Sequence, residues 1–272
     1  MQLTDYLYRI TAPNPGFMTG NGTNSYLIKA ANGDCIVIDP GPAIDSHIQA
    51  IIHCAGGAER IKIIAVTHMH TDHSPAAMPL ASLTGAAIYS PFALEDEFQD
   101  KSLRSDITLE HDQCITLDNI QLRCIYTPGH VDNHMCFLLE NEGVLIAGDH
   151  IMQGSTVVII PPHGNMKKYL ASLALLKDYA IKLLAPGHGE LIHTPFEEID
   201  GIIAHRLQRE RKVIQGLKQL TTADLEELTA VVYDDVDKSL HMMASFSLLA
   251  HLLKLEEEGV AEQKNNRWKI KA

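Results

Sequence analysis

An α/β domain followed by a smaller, mainly helical module is the fold class this sequence predicts, and three observations predict it. Short β-branched runs alternate with apolar patterns of helical period through most of the chain. Polar, histidine-bearing clusters stand directly after several of those runs, where α/β folds place their sites. From Pro195 onward the texture changes to almost continuous helix.

The elements follow in order. Residues 25–29 (SYLIK) and 35–39 (CIVID) read as two strands around the turn Ala31-Asn32-Gly33-Asp34. Residues 43–55 carry Ile44, Ile48, Ile51 and Ile52 on one helical face, and Gly56-Gly57 stops that helix. The run IKIIAVT at 61–67 reads as a buried strand, and PAAMPLASLTG after it as a helix with proline near its start. Strands are expected at 114–117, 122–126, 135–139 and 144–147, then a helix over 166–179 and a strand at 182–185. Residues 195–219 form one long amphipathic helix. In the tail, Thr222 is placed to cap a helix over 223–228, and a longer helix spans 242–258 and stops at Gly259. Residues 260–263 and 267–270 pair around 264–266 as a two-stranded wing. The domains are therefore set at 1–212 and 213–272, the second resembling a winged helix.

Composition narrows the function. The 272 residues are 46% hydrophobic and 21% charged, enough for a substantial core. Thirty-four acids against 22 Lys and Arg give a net charge of -12, which argues against indiscriminate binding to DNA or anionic membranes. The tail repeats that bias, and Glu256, Glu257 and Glu258 at the end of its long helix would repel phosphates. No double-stranded DNA partner is expected there; a gating appendage or a homodimer contact fits better. Five cysteines without a CxxC pair suit a reducing compartment. With no basic flank and apolar run at the start and no apolar stretch of spanning length, the expectation is a cytoplasmic protein away from membranes.

The chemistry concentrates in Thr67-His68-Met69-His70-Thr71-Asp72-His73-Ser74. Three imidazoles and a carboxylate occupy six residues directly after a buried strand. If His68 and His70 extend from the strand end, their period of two points them to one side, while Asp72 and His73 turn toward a second point nearby. Such a pattern suits two adjacent metals. Imidazole and carboxylate without paired thiolates favour zinc, with iron or manganese as alternatives.

This segment resembles the signature of the metallo-β-lactamase superfamily. The resemblance implies a four-layer αβ/βα sandwich, two sheets inside and helices outside. Its other motifs occur in order: Thr127-Pro128-Gly129-His130, Ala147-Gly148-Asp149 and Ala185-Pro186-Gly187-His188-Gly189. By that resemblance His68, His70 and His130 hold one metal, Asp72, His73 and His188 hold the other, and Asp149 bridges them. Within the superfamily the chain is most similar to the LACTB2-like hydrolases. That likeness is carried by Gly22 to Leu27 (GTNSYL), TPGHVDNHM, Gly154-Ser155-Thr156-Val157 and the winged tail ending in HLLKLEEEGV. Glyoxalase II proteins are more distant cousins. His150 departs from the animal members of the group, which have cysteine after the bridging aspartate.

The implied activity is hydrolysis of a small ester or thioester, resembling that of a hydroxyacylglutathione hydrolase, with a hydroxide shared by the two metals as nucleophile. Asp72 is expected to serve as ligand and as hydrogen-bond acceptor for that nucleophile. His134 is either a satisfied buried histidine or a group that donates a proton to the leaving atom. Asn24, His150, Lys168 and Tyr169 are the expected substrate contacts; Lys168 and Tyr169 open a helix and face either the site's mouth or solvent. Single-stranded RNA cleavage or another phosphodiesterase action is the alternative activity, although a groove for several nucleotides needs a basic lining. A non-enzymatic nucleic-acid-binding module is the remaining alternative. Keeping Asp72, His73 and the bridge together argues against it.

Overall fold

Apolar side chains along short strands build two larger sheets and one two-stranded hairpin, seen in a computed structural model describing residues 1–271. Contacts divide the chain into two units: Met1–Thr127 with Asn133–Ser155 and Lys177–Pro195, and Pro128–Asp132 with Thr156–Leu176 and the residues from Phe196 onward.

In the first unit, β1 (Leu7–Thr11), β2 (Asn24–Lys29), β3 (Cys35–Ile38), β4 (Ile61–Ala65), β5 (Ala87–Ser90) and β6 (Ile107–Thr108) lie side by side in sequence order. The first three are antiparallel, and from β3 onward the pairs are parallel. Helix α1 (Asp45–Ala55) makes the crossover from β3 to β4, and α2 (Ala77–Thr84) the crossover from β4 to β5. The second sheet has the order β11-β10-β9-β8-β7. Its strands are β7 (Cys114–Leu117), β8 (Ile120–Tyr126), β9 (Met135–Leu139), β10 (Val144–Gly148) and β11 (Leu183–Pro186).

The two faces of the first sheet go to different cores. Tyr26, Ile28, Ile36 and Ile38 pack with Leu122, Cys124, Phe137, Leu139 and Ile146 of the second sheet. Leu27, Val37 and Ile64 face the other way, onto Ile48 and Ile51 of α1 and Leu80 of α2. Both sets are buried, and each such side chain contributes roughly 1.5–3 kcal/mol. The strand expected at 61–67 stops at Ala65, because Thr67 leaves the sheet to bond a side chain described below. Strands β1, β5 and β6 were not expected. The half-exposed LYRIT, AIYS and the two-residue β6 lack a buried run long enough to stand out.

The second unit contains α3 (Met166–Leu175), α4 (Pro195–Leu220), α5 (Leu225–Val232), α6 (His241–Glu257) and the hairpin β12 (Ala261–Lys264) and β13 (Arg267–Ile270). Val213 and Leu217 of α4 meet Leu228 and Val232 of α5, Leu248, Leu252 and Leu255 of α6, and Trp268 of the hairpin. The cap expected at Thr222 is instead Asp224. Its carboxylate accepts from Glu227 N at 2.9 Å, while Glu227 Oε2 accepts from Asp224 N at 3.0 Å, a reciprocal capping box. The wing turns at Asn265 and Asn266, both with positive φ, as a two-residue hairpin requires. Among the described residues no helix is long and apolar enough to cross a membrane.

His47 of α1 is buried, with Nε2 2.8 Å from Ser25 Oγ, and that hydroxyl donates to Asp39 O. Burial pushes the imidazole down to about 4, so it folds neutral. As pH falls from about 6.5 toward 4 the unfolded chain takes up the proton first, so stability is lost across that window, by about 3 kcal/mol at most. In denaturant titrations between pH 7.5 and 4.5, His47→Gln should show a flatter loss than the parent chain.

Candidate metal centre

The end of β3 sets the site. Asp39, buried with φ +48°, accepts hydrogen bonds from Thr67 N and Thr67 Oγ1, both at 2.7 Å, and lies 2.9 Å from His73 Nδ1. Its carboxylate thereby draws the segment after β4 into a turn. It also makes Nδ1 of His73 the protonated nitrogen and leaves the Nε2 lone pair facing outward. Thr67 extends the pattern, because its Oγ1 donates to Asp39 and stands 3.0 Å from His68 Nδ1. Accepting there orients His68, whose Nε2 sits 2.9 Å from His70 Nδ1. His68 and His70 thus converge as the sequence pattern suggested, although both lie beyond the strand. Backbone pairing of His70 with Gln99 and a 2.6 Å bond from Asp100 N to Met69 O hold that turn from the far side.

A second convergence adjoins it. His73 Nε2 is 3.3 Å from Asp149 Oδ1 and 3.6 Å from Asp72 Oδ2. His188 Nε2 is 3.2 Å from Asp72 Oδ2 and 3.3 Å from Asp149 Oδ1. One ligating atom from each of these four residues lies within 4.8 Å of the others. The His68 and His73 rings are 4.3 Å apart between centroids, so the two convergences are neighbours. His188 Nδ1 faces Gly22 O at 3.3 Å, which turns its Nε2 toward the carboxylates. Gly187 is needed for this approach: a Cβ there would fall 2.7 Å from His73 Cε1 and 2.8 Å from Asp149 Oδ1. Gly148, with φ +48°, likewise has no room for a side chain between Thr67 Oγ1 and His134 Nε2.

Charge decides what such a cluster can hold. Burial opposes ionisation of Asp149, yet His188 and His73 outweigh it and keep the carboxyl well below its usual range. Burial opposes protonation of His188 too, and Asp149 and Asp72 overcome it, pushing the imidazole up to about 9. The cluster therefore calls for positive charge at its centre. His73 Nε2 and His188 Nε2 are buried and make no hydrogen bond, as nitrogens reserved for a cation would be. Two imidazoles and two carboxylates, with Nδ1 of each imidazole tied behind, fit a divalent ion of the zinc, iron or manganese type.

The other expected site residues are placed as follows. In the second unit His130 Nδ1 is 2.7 Å from Val158 O. Asn24 is buried on β2; its Nδ2 donates to Pro186 O and Gly189 O at 3.1 and 2.9 Å, on either side of His188. His134 is fully buried, 2.9 Å from Thr127 Oγ1, and its ring is 5.1 Å from that of His68. His150 is buried too, 5.8 Å from the His134 ring. In the second unit Lys168 is solvent-exposed and pairs with Asp132 at 2.7 Å, whereas Tyr169 is fully buried. Sequence reasoning missed Asp39, which it took only as the last residue of a strand. The signal was an acid ending an otherwise wholly apolar strand just before Pro40-Gly41.

With this geometry in hand, comparison with known proteins is direct. Residues 18–188 match the family described as metallo-beta-lactamase superfamily, and the chain belongs to that superfamily, whose members are generally hydrolases. Residues 225–268 match the beta-lactamase associated winged helix domain, so the chain joins the sandwich fold to a winged helix. In particular, it is similar to two proteins named Beta-lactamase-like protein 2 homolog. The Drosophila melanogaster protein is 30% identical over 95% of this chain and 90% of its own length. The Caenorhabditis elegans protein is 31% identical over 96% and 88%. An atrochrysone carboxyl ACP thioesterase of Aspergillus novofumigatus is 26% identical over 95% of this chain and 81% of its own. The same fold is seen in a metallo-beta-lactamase family protein from Thermus thermophilus. It is 22% identical with a TM-score of 0.81 and covers 99% of this chain and 100% of that one.

Asp39→Asn should keep the fold and weaken divalent-ion affinity by about 10- to 100-fold in chelator competition, because Nδ1 of His73 loses its carboxylate partner.

Proposed function

We propose that this protein is a dinuclear metal-dependent hydrolase of small esters and thioesters, close in reaction type to a hydroxyacylglutathione hydrolase. The observation that carries the reading is the convergence of Asp72, His73, Asp149 and His188 beside His68 and His70. One ion is assigned to His68, His70 and His130, the other to Asp72, His73 and His188, with Asp149 shared. Zinc suits these donors best, with iron or manganese as alternatives. Two divalent ions there would polarise the scissile carbonyl and lower the pKa of water. Asp72 is the more exposed of the two carboxylates, so it is assigned to accept a hydrogen bond from the attacking water and orient it. Asp149, more enclosed, holds charge at the centre.

His134 and His150, both buried, are assigned to the wall behind His68. Asn24 fixes the loop that presents His188, and Lys168, ion-paired with Asp132, is assigned to an anionic part of a substrate. Similarity to a carrier-protein thioesterase supports thioester chemistry, and the net charge of -12 disfavours a long polyanion. Cleavage of single-stranded RNA is the second reading. The likeness to the Beta-lactamase-like protein 2 homologs over nearly the whole chain favours it.

A paired assay decides between them, with S-lactoylglutathione and other thioesters in one arm and short single-stranded RNA in the other. Turnover of thioesters should fall on the order of a thousandfold in Asp72→Ala, with RNA left intact by both proteins. RNA cleavage that disappears in Asp72→Ala while thioesters stay untouched would replace the first reading by the second. Inactivity in both arms with two ions bound would sink both substrate classes.

A further inference from the structure

Arg206 of α4 is almost fully enclosed, at 3% exposure, and its Nε makes no hydrogen bond. Burying a guanidinium with an unsatisfied nitrogen is costly, so stability alone gives little reason for a cation there. Arg209 on the same helix is different: it donates to Val232 O and to Asp235, each at 2.7 Å. The contacts of Arg206 lead elsewhere. Its Nη2 donates to Val157 O, and its guanidinium carbon lies 5.5 Å from the centre of the Tyr169 ring.

Both of those neighbours support the turn that carries His130. The carbonyl next along from Val157, that of Val158, accepts from His130 Nδ1 at 2.7 Å and so sets the ring's tautomer and direction. Tyr169 presses against Gly129, where an added Cβ would fall 2.3 Å from Tyr169 Cα and 2.5 Å from its Cβ. Gly129 also has φ +151° and accepts from Asn165 N at 2.8 Å, so the turn has little freedom. One side chain therefore grips both supports of one imidazole, the Val157–Val158 segment whose carbonyl orients the ring and the aromatic wedge beneath its backbone.

We infer that Arg206 is a positioning residue for His130: it fixes Val157–Val158 and Tyr169 so that His130 Nε2 is presented in a single direction. The inference rests on the reading of His130 as a metal ligand, and it makes a helix of the second unit a determinant of metal affinity.

The test uses the full chain loaded with two equivalents of zinc or cobalt(II) and titrated with a competing chelator. His130→Ala identifies the step that belongs to its ion by abolishing it. Arg206→Met should weaken that same step by about 10- to 100-fold and alter the cobalt spectrum of that ion, leaving the other step in place. Arg209→Met removes a neighbouring buried guanidinium from the same helix and should change neither step by more than about twofold. If Arg206→Met does not fold, Arg206→Lys is measured instead. A point charge cannot both reach Val157 O and lie flat over Tyr169, so the same step should again weaken. Unchanged affinity in the folded Arg206 variant, with the step lost in His130→Ala, would overturn the inference alone. Equal weakening in Arg209→Met would also overturn it, by reducing the effect to general loosening of α4. Two intact steps in His130→Ala would overturn the ligand assignment and this inference with it.

Discussion

One buried carboxylate, that of Asp39, organises the first unit's chemistry. It sits where β3 ends and receives the backbone N–H and hydroxyl of Thr67 while facing Nδ1 of His73. A carboxyl group buried this deeply needs hydrogen-bond partners, so the segment after β4 leaves the sheet at Ala65 and curls toward it. That curl orients Thr67 Oγ1 against His68 and brings Nε2 of His68 to Nδ1 of His70. Two elements that are parallel neighbours in the sheet are therefore also joined at their ends, and His68, His70, Asp72 and His73 follow directly from that junction.

The rest of the cluster is a problem of charge density. Asp72 and Asp149 face the same two imidazole nitrogens, and the backbone around them is kept close by glycine at 148 and 187. Two carboxylates in such a space repel each other unless positive charge lies between them. Protons on His73 and His188 can supply it, and that is the direction in which both imidazoles are pushed. A divalent ion supplies it more compactly and leaves both nitrogens as lone-pair donors. The backbone therefore concentrates negative charge that only a cation relieves.

Much of this was legible in the sequence, for reasons that differ between residues. The HxHxDH segment and the three later motifs stand just past strand ends, so their clustering is visible in the sequence, whereas the approach of His68 to His70 comes from the turn beyond β4 and not from strand alternation. Asp39 left only the mark of an acid ending an apolar strand, and nothing in CIVIDPG says that it points inward to a histidine 34 residues on. Strands β5 and β6 escaped because four- and two-residue strands are specified by their neighbours in the sheet more than by their own pattern. At the start of α5 two candidate caps compete, Thr222 and Asp224. Reciprocity with Glu227 selects the second, a three-residue relation that a single-residue preference overlooks. The pairing of Arg206 with Val157 spans 49 residues and leaves no local trace.

Behind the candidate metal centre lies a feature that composition shows only as an excess of histidine. The rings of His68, His134 and His150 follow one another at centroid distances of 5.1 and 5.8 Å, all sealed from solvent. His68 itself is held well below the ordinary imidazole range by burial first and then by His73 and His70. The neighbouring His134 imidazole works in the same direction on His68, since a proton on one ring repels a proton on the other. Neutral imidazole is the form that binds a metal. The surroundings of His68 thus work in the opposite sense to the carboxylates facing His73 and His188: one side of the centre keeps a nitrogen free of protons, the other gathers the negative charge that draws a cation in.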